Sequence, residues 1–247
     1  MKSLLTVNTA KMEKSAEYGY LSAILNLQPT MRIPKNDLGL GIKNTCPDAG
    51  KCARSCLQYT GRNRFDSAAV SRIRKTRMLF ESPAHFQHYL DADLVRLSAR
   101  AHKKGLGFTA RLNGLSDIPW ELIEHHGRNV FERHPTIQFV DYTKTAARLA
   151  LRIPNYCLVY SYNERSSDKE VRNFLVHGGK VAMVFAGELP ESVKIGRNRF
   201  EVVDGDEHDL VHLHEPGVVL GLRYKRAYSP KDGKSMAVKN NGFILGE

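Results

Sequence analysis

Residues 136–162, TIQFVDYTKTAARLALRIPNYCLVYSY, contain the pattern that decides the fold. Two short apolar runs, 136–142 and 156–162, predict buried strands, and residues 145–151 between them have the length of one short helix. Strands that alternate with helices at this spacing are typical of parallel α/β sheets. This stretch therefore predicts one strand–helix–strand unit of such a sheet.

The same alternation continues on both sides of this stretch. The predicted strands are 19–27, 106–113, 136–142, 156–162, 180–185, 200–203 and 218–222. The predicted helices are 62–80, 82–105, 117–131, 145–151 and one that a capping box, Ser167 with Glu170, opens before Gly178. The helix over 82–105 is the clearest, because Phe86, Leu90, Leu94, Leu97 and Ala101 repeat at helical spacing.

Seven such strands predict an α/β fold that is TIM-barrel-like: an incomplete or irregular (β/α) barrel with mostly parallel strands. We favour it over an open doubly wound sheet because no glycine-rich dinucleotide fingerprint follows the first strand. No linker or low-complexity segment interrupts the chain, so we expect residues 1–247 to form a single domain.

Composition limits the classes of protein that this chain can belong to. The 247 residues are 42% hydrophobic and 26% charged, which is ordinary for a globular protein. No apolar run of about 18 residues is present, which excludes a membrane span. The first 20 residues carry too many charges for a secretory signal, so we expect a cytoplasmic location.

Three of the four cysteines lie in residues 41–62, GIKNTCPDAGKCARSCLQYTGR, which we call the cysteine loop. Cys46, Cys52 and Cys56 follow a C-x5-C-x3-C spacing, and the loop is inserted after the first strand. In the cytoplasm such thiols favour metal binding over disulfides. Cys157 is second in its strand, well over 10 Å from the carboxyl end at about 3.3 Å per residue. We therefore predict that it is a buried core thiol and not a ligand.

Three thiolates without a fourth allow two kinds of metal site. A 4Fe-4S cluster would leave its fourth iron open to water, a substrate or another side chain. Zinc would need a histidine or an aspartate as well, and His208, His212 and His214 are the candidates. We favour the cluster because the loop has no histidine and no zinc knuckle of paired cysteines. A cysteine loop without metal is the third alternative.

Polar residues at the ends of the other strands predict a binding cavity, because functional groups in parallel α/β folds collect at the carboxyl ends of strands. We expect an anionic or polar small molecule there. The residues that we expect to bind it are Arg111, Asn113, Asp141, Lys144 and Arg223. Further polar residues at these ends are Asp117, Tyr142, Ser161, Asn163, Glu164, Asp204, Asp206, Glu207 and Lys225.

A net charge of +11 makes nucleic acid a second possible partner. Much of the surplus lies in residues 222–234 and in residues 62–77 of the predicted helix over 62–80. The phosphate-contacting candidates of this helix are Arg62, Arg64, Arg72, Arg74, Lys75 and Arg77. The helix lacks the interleaved exposed aromatics of a single-strand binding surface, which counts against this partner. A solvated basic face explains the charge equally well.

The cysteine motif Cys46-Pro47-x-Ala49-x-x-Cys52-x-x-x-Cys56, followed by Tyr59 and Gly61, resembles that of the phage gene-product-eighty-eight-like domain family. Further blocks in the same order are ARLNGLSD, VDYTK, NYCLVYSYNE, KVAMVF and VVDGDEHDL with GVVLGLRYK, so the resemblance spans about residues 17–226. It implies a phage protein in the host cytoplasm with a site at the cysteines. The family brings no assigned reaction with it.

A weaker, architectural likeness is to radical S-adenosylmethionine enzymes, which also carry three cysteines after the first barrel strand. It implies a cluster with one iron open to the methionine moiety. The spacing here departs from their C-x3-C-x2-C, and no glycine-rich motif supports S-adenosylmethionine binding. We therefore expect an iron–sulfur protein, with a redox or radical-type reaction left open. The alternative is a metal-stapled module that binds nucleic acid or a host protein.

Overall fold

The computed structural model describes residues 3–7, 10–31, 44–229, 233–235 and 241–246. Residues 41–43 of the cysteine loop lie outside the described residues. The chain divides into two compact units that alternate along the sequence. Unit 1 comprises 1–47, 65–141 and 152–157, and unit 2 comprises 48–64, 142–151 and 158–247. The prediction of a single domain over 1–247 stays a prediction.

Unit 1 contains the first strands of the sheet and the longest helices. In chain order its elements are β1 (Leu5–Thr6), α1 (Ala10–Glu17), β2 (Tyr20–Leu25), α2 (Asp66–Glu81), α3 (Pro83–Lys103), β3 (Gly107–Arg111), β4 (Glu124–His125), β5 (Arg128–Asn129), α4 (Val130–Arg133) and most of β6 (Gln138–Thr143). Strands β2, β3 and β6 are parallel neighbours in that order, and β1 pairs with β2 antiparallel.

The long helix α3 confirms the clearest helix prediction. Its five periodic apolar residues are all completely or almost completely buried. Phe86 stacks on the buried Trp120 ring, with ring centroids 6.2 Å apart. Gly105 follows the helix with a φ of +68°, a left-handed conformation that ends helices at little cost when the residue is glycine.

The predicted helix over 117–131 is wrong. Residues 124–129 instead form the β4–β5 hairpin, whose turn residues His126 and Gly127 both have positive φ. Two such residues define the tight turn that best matches the twist of paired strands. Only the four-residue helix α4 follows, with Asn129 as its side-chain cap. A local turn signal therefore overrode the helical interpretation.

Unit 2 contains the second half of the strands. Its elements are the end of β7 (Tyr156–Ser161), α5 (Asp168–Val176), β8 (Val181–Phe185), β9 (Ser192–Ile195), β10 (Asn198–Asp204), β11 (Val219–Arg223) and β12 (Ile244–Leu245). The strand order is β7-β8-β11-β10-β9, with β12 also beside β8. All neighbours are parallel except β9 and β10.

One apolar cluster of unit 2 packs helix α5 against the strands. It joins α5, through Val171 and Leu175, to β8, through Val181 and Met183. The helix predicted after Ser167 is confirmed, but Ser167 makes no side-chain capping hydrogen bond, so the capping box is wrong. Strand β9 was missed because only Ile195 of its four residues is buried.

The α/β class with mostly parallel strands is confirmed, and the barrel is not. Among the described residues, each unit contains a run of neighbouring strands that are mostly parallel. The run in unit 1 has β1 at its edge and the run in unit 2 has β9, and neither run closes on itself. A barrel also requires successive strands to be neighbours, whereas β11 lies between β8 and β10.

None of the helices within the described ranges has the length and apolar character needed to cross a membrane.

Candidate functional site

The first part of the cysteine loop is fixed in unit 1 at the carboxyl ends of two strands. The Thr45 hydroxyl donates to the Gln28 carbonyl, just after β2, at 2.8 Å. The Thr45 carbonyl accepts from the Asp117 amide, after β3, at 2.7 Å. The Cys46 thiol lies 3.5 Å from the Leu115 carbonyl oxygen. The first cysteine therefore lies at the end of the strands at which it was expected.

The second part of the cysteine loop belongs to unit 2 and consists of three short 3-10 turns. They span Gly50–Ser55, Leu57–Tyr59 and Gly61–Arg64. The first turn contains Cys52, and Cys56 separates it from the second. Gly50 has a φ of +48°, and a Cβ added there would collide with the Glu164 carboxylate. Another residue here would displace the Glu164 carboxylate and would also be strained by the positive φ, so both features favour glycine.

Glu164 and Arg165, which follow β7, hold this second part. Glu164 Oε1 accepts a hydrogen bond from the Lys51 amide at 2.9 Å. Arg165 donates to the Asp48 carbonyl at 2.8 Å, and its guanidinium lies 3.4 Å from Asp48 Oδ1. Thr145, after β6, donates to Asp48 Oδ2 at 2.7 Å. In unit 2 as well, the cysteine loop lies at the carboxyl ends of strands.

The end of the cysteine loop is fixed by a tyrosine after β11. The Tyr228 amide donates to the Tyr59 carbonyl at 3.0 Å. The Arg64 guanidinium lies 4.9 Å from the centre of the Tyr228 ring, within the range of a cation–π contact. Backbone and side chain of Tyr228 thus hold the loop at two adjacent turns.

The four cysteines are all in the described part of the chain, and each is a half-buried thiol that forms no disulfide. Among the described residues, no three histidine, cysteine, aspartate or glutamate side chains are placed so that they could hold a metal ion. Metal binding by Cys46, Cys52 and Cys56 therefore stays a prediction. Cys157 is second in β7, as expected, but it is half-buried where we expected full burial.

Two buried polar atoms in the surroundings of the loop lack a hydrogen-bond partner among the described residues. One is the hydroxyl oxygen of Ser55, a residue that is only 6% exposed and immediately precedes Cys56. The other is Glu164 Oε2, the carboxylate oxygen that does not bind Lys51. Buried polar atoms are nearly always paired, so both positions suggest a further ligand or a rearrangement.

Two of the residues that were predicted to bind a small molecule, Asn113 and Asp141, are buried in the interior of unit 1. Asp141 is 0% exposed and accepts from the Asn113 amide at 2.6 Å and the Tyr156 hydroxyl at 3.3 Å. Asn113 is 1% exposed, and its side-chain oxygen accepts from the Ile118 amide and the Trp120 indole. The structure gives them a role in organising the chain after β3, and their contact with a ligand stays a prediction.

Lys144, which follows β6 directly, is a predicted ligand-binding residue next to a contact of the cysteine loop. Its ammonium group donates to the Ser161 hydroxyl at 3.0 Å and lies 5.1 Å from the centre of the Phe243 ring. The next residue, Thr145, is the one that binds Asp48. Lys144 therefore places a positive charge beside residues that contact the loop.

The other two residues that were predicted to bind a small molecule, Arg111 and Arg223, lie at the ends of different strands. Arg111 is the last residue of β3 in unit 1 and is half-buried. Arg223 is the last residue of β11 in unit 2 and pairs with Asp204 at 2.7 Å. The hydrogen bond that Arg223 donates to Asp204 raises the pKa of Arg223 above its ordinary value. Any anion at Arg223 has to compete with this carboxylate.

The three histidines considered for zinc lie elsewhere in unit 2. Burial, the charge of Lys180 and the neighbouring His208 and His214 lower the pKa of His212 to about 4. Lys180 immediately precedes β8, whereas the cysteine loop contacts residues beyond the carboxyl ends of β6 and β7. Strand β8, at about 3.3 Å per residue, separates these levels by more than about 10 Å. This distance disfavours His212 as a ligand beside Cys52.

Two of the basic residues proposed for phosphate binding are buried in unit 1. Arg72 is 5% exposed and donates to the Gln28 side chain at 3.2 Å. Lys75 is 6% exposed and donates to the Leu4 carbonyl at 2.6 Å. Burial is also the main reason why the pKa of Lys75 is lowered. Helix α2 is therefore not a continuous basic face, and nucleic-acid binding stays a prediction without support from these two residues.

Several residues at the site were missed by the sequence interpretation. Arg165 and Thr145 are direct neighbours of Glu164 and Lys144, which the strand-end rule selected, so a wider window would have included them. Ser55 gave no signal, because a serine among cysteines is usually a solvated turn residue. The segment 241–246 gave none either, because only two of its residues form a strand.

Comparison with known proteins gives a family for the whole chain. The sequence profile described as Gene product 88 matches residues 3–240. No curated protein and no solved structure is similar enough to this chain to count as a match. The matched range contains the three cysteines, Glu164–Arg165 and all the predicted ligand residues. The chain therefore belongs to the phage Gene product 88 family, as the cysteine motif and the later blocks predicted.

Proposed function

We propose that this protein is an iron–sulfur protein in which Cys46, Cys52 and Cys56 hold a 4Fe-4S cluster. The observation that carries the proposal is the state of these thiols: all three are half-buried and outside any disulfide, on a loop at the carboxyl ends of strands. Thiolates are the ligands that iron–sulfur clusters prefer, and three of them leave one iron open.

The donor chemistry fits such a cluster, and the described side chains are not yet in a metal-binding arrangement. We therefore propose that binding organises the site, as in many metal proteins whose ligands come together only with the metal. The unpartnered Ser55 hydroxyl and Glu164 Oε2 support this proposal, because both are polar groups that a local rearrangement would satisfy.

The cluster would supply electron transfer or an open iron for a bound molecule. The chain's own contribution is the positive charge of Lys144 at the end of β6, which suits an anionic or polar small molecule. Arg111 and Arg223 are the further cationic candidates. The proposal includes a redox or radical-type reaction, with or without S-adenosylmethionine. No sequence motif in this chain indicates which of these reactions it is.

The test is anaerobic purification followed by iron and sulfide determination. We expect a brown protein whose iron falls to background when Cys46, Cys52 or Cys56 is changed to serine. Cys157→Ser is the matched control and should keep its iron, since Cys157 lies near the amino end of β7. A colourless protein with one zinc per chain would reject the cluster. Electron paramagnetic resonance of the reduced protein, with and without S-adenosylmethionine, then tests the open iron.

The alternative function, a metal-stapled module for nucleic acid or a host protein, has less support. Arg72 and Lys75 are buried within unit 1, which removes two of its six cationic contacts. A binding titration with short single- and double-stranded DNA at two salt concentrations tests it, because phosphate contacts weaken steeply with salt. Affinity that is measurable at low salt and lost at high salt would favour this alternative.

Two finer parts of the sequence interpretation belong to the same proposal. One is an incomplete (β/α) barrel, supported by the parallel neighbours β2, β3 and β6 in unit 1, which follow chain order. The other is the host cytoplasm, which keeps thiols reduced and available to iron. An experimental structure tests the first part, and fractionation of infected cells tests the second.

A further inference from the structure

Glu164 contacts two segments of unit 2 that are far apart in sequence. On one side its Oε1 accepts from the Lys51 amide, in the turn that carries Cys52. On the other side its backbone and Cβ are so close to Gly242 that a Cβ added there would lie 2.9 Å from the Glu164 Cβ. Gly242 also has a φ of +82°, which only glycine adopts readily. Glycine is thus needed on both sides of this one side chain, at Gly50 and at Gly242.

The segment 241–246 is held at the same place by further contacts. The Lys51 ammonium group donates to the Asn241 carbonyl at 2.8 Å. The Phe243 ring lies over the ammonium group of Lys144. Lys51 therefore binds both partners, Glu164 through its amide and Asn241 through its side chain. The segment contacts the cysteine loop directly and also through Glu164.

Strand pairing explains why the segment lies there. Strand β8 has β11 along one edge, over its whole length. Along the other edge β7 pairs only with Val181 and Ala182, and β12 pairs with Val184 and Phe185. After β7 ends, the chain turns away from β8 towards Glu164. The segment 241–246 pairs with the rest of the β8 edge that β7 no longer covers. Its position is set by backbone pairing with a buried strand.

We propose that Glu164 is a positioning residue that couples the cysteine loop to the segment 241–246, so that the docked segment holds the Cys52 turn in place. The coupling itself is a property of the chain without metal. Its consequence for cluster loading rests on the proposed function. Release of the segment would then increase access to the Cys52 thiol, which makes the segment a means of regulating the site.

The first test measures thiol reactivity in the reduced, metal-free, full-length protein. Iodoacetamide alkylation of Cys52 is followed by mass spectrometry, with Cys157 in the same sample as the internal standard. We expect Glu164→Ala to raise the Cys52/Cys157 rate ratio about tenfold, which corresponds to the loss of one hydrogen bond to a charged group. Glu164→Gln keeps an oxygen for the Lys51 amide and should stay within about twofold of the wild type.

Gly242→Ala tests the coupling from the other side. It changes no residue of the cysteine loop, and its Cβ would push against Glu164. We expect it to raise the ratio as Glu164→Ala does, and the double variant to raise it no further, because both act on one contact. Glu215→Ala, which removes an exposed carboxylate elsewhere in unit 2, is the control and should leave the ratio unchanged.

The outcomes separate this inference from the proposed function. An unchanged ratio in both Glu164→Ala and Gly242→Ala overturns the coupling, even if the wild type loads iron. An equal rise in Glu164→Gln overturns the role of the hydrogen bond. A raised ratio in a protein whose wild type takes up no iron supports the coupling and rejects the cluster. Faster iron uptake by Glu164→Ala, as expected from greater access to Cys52, and normal uptake by Glu164→Gln would support both.

Discussion

Two polar pairs at the ends of strands look alike in the sequence and differ in the structure. Asn113 and Asp141 in unit 1 are buried, and their polar groups are used by each other and by neighbouring backbone and aromatic groups. Glu164 and Arg165 in unit 2 are partly exposed and hold a loop, and one carboxylate oxygen has no partner among the described residues. A pair whose hydrogen-bonding groups are all used inside the protein organises the fold. A pair with an unused hydrogen-bond acceptor is available for function.

The substitution Asp141→Ala tests most directly whether the buried pair has a structural role. It removes the acceptor of the Asn113 amide and the Tyr156 hydroxyl in a site without water access. Because buried donors then lose their partner, we expect the free energy of unfolding to fall by about 3 kcal/mol. Urea denaturation measures it. Asp204→Ala, which removes a partly exposed ion pair and one backbone hydrogen bond, is the control and should cost clearly less than Asp141→Ala. Equal costs would show that Asp141 is not structural.

The second pair should behave in the opposite way. Arg165→Ala removes one hydrogen bond and one partly exposed ion pair to Asp48, so we expect a loss of global stability below about 1 kcal/mol. The effect should be local: amide hydrogen exchange over residues 48–56 should become roughly three- to tenfold faster. Arg197→Ala, at an exposed turn of unit 2, is the matched control. Faster exchange throughout unit 2 would mean that Arg165 supports the unit and not the loop.

The fold was predictable wherever burial is periodic. The five periodic residues of α3 are buried as expected, and all seven predicted strands are present to within a few residues. The errors fall where a local feature decides the conformation. The His126-Gly127 turn made a hairpin from a predicted helix, and the half-exposed β9 shows no apolar pattern. The barrel is not confirmed, because strand order beyond β8 depends on pairing between distant segments, which periodicity does not encode.

The candidate site was predictable in position and not in detail. The rule that functional groups collect at the carboxyl ends of parallel strands placed the cysteine loop correctly in both units. The same rule selected Asn113 and Asp141, because a sequence does not show which strand-end residues are turned inward. It also gave no sign of the segment 241–246, whose contacts with Glu164 and Lys51 join residues far apart in the chain.

His212 is a third polar group to compare with these two pairs. It lies in unit 2 near the amino end of β8, and its lowered pKa keeps the ring neutral. Its pKa is about 4 in the folded protein against the ordinary 6.5, owing first to burial and then to Lys180. Below pH 6.5 the unfolded chain therefore binds a proton that the folded chain does not, and stability is lost as the pH falls from 6.5 to about 4. Allowing for solvent screening of this half-buried ring, we expect a loss of about 1 kcal/mol.

The variant His212→Gln isolates this effect, since glutamine stays neutral over the whole range. The difference in unfolding free energy between wild type and variant should be constant above pH 6.5 and should shrink or reverse towards pH 4. Parallel curves for wild type and His212→Gln would mean that the ring takes up its proton freely in the folded protein. In that case the burial of His212 would have no effect on stability, and the ring would behave like the exposed polar groups at the strand ends.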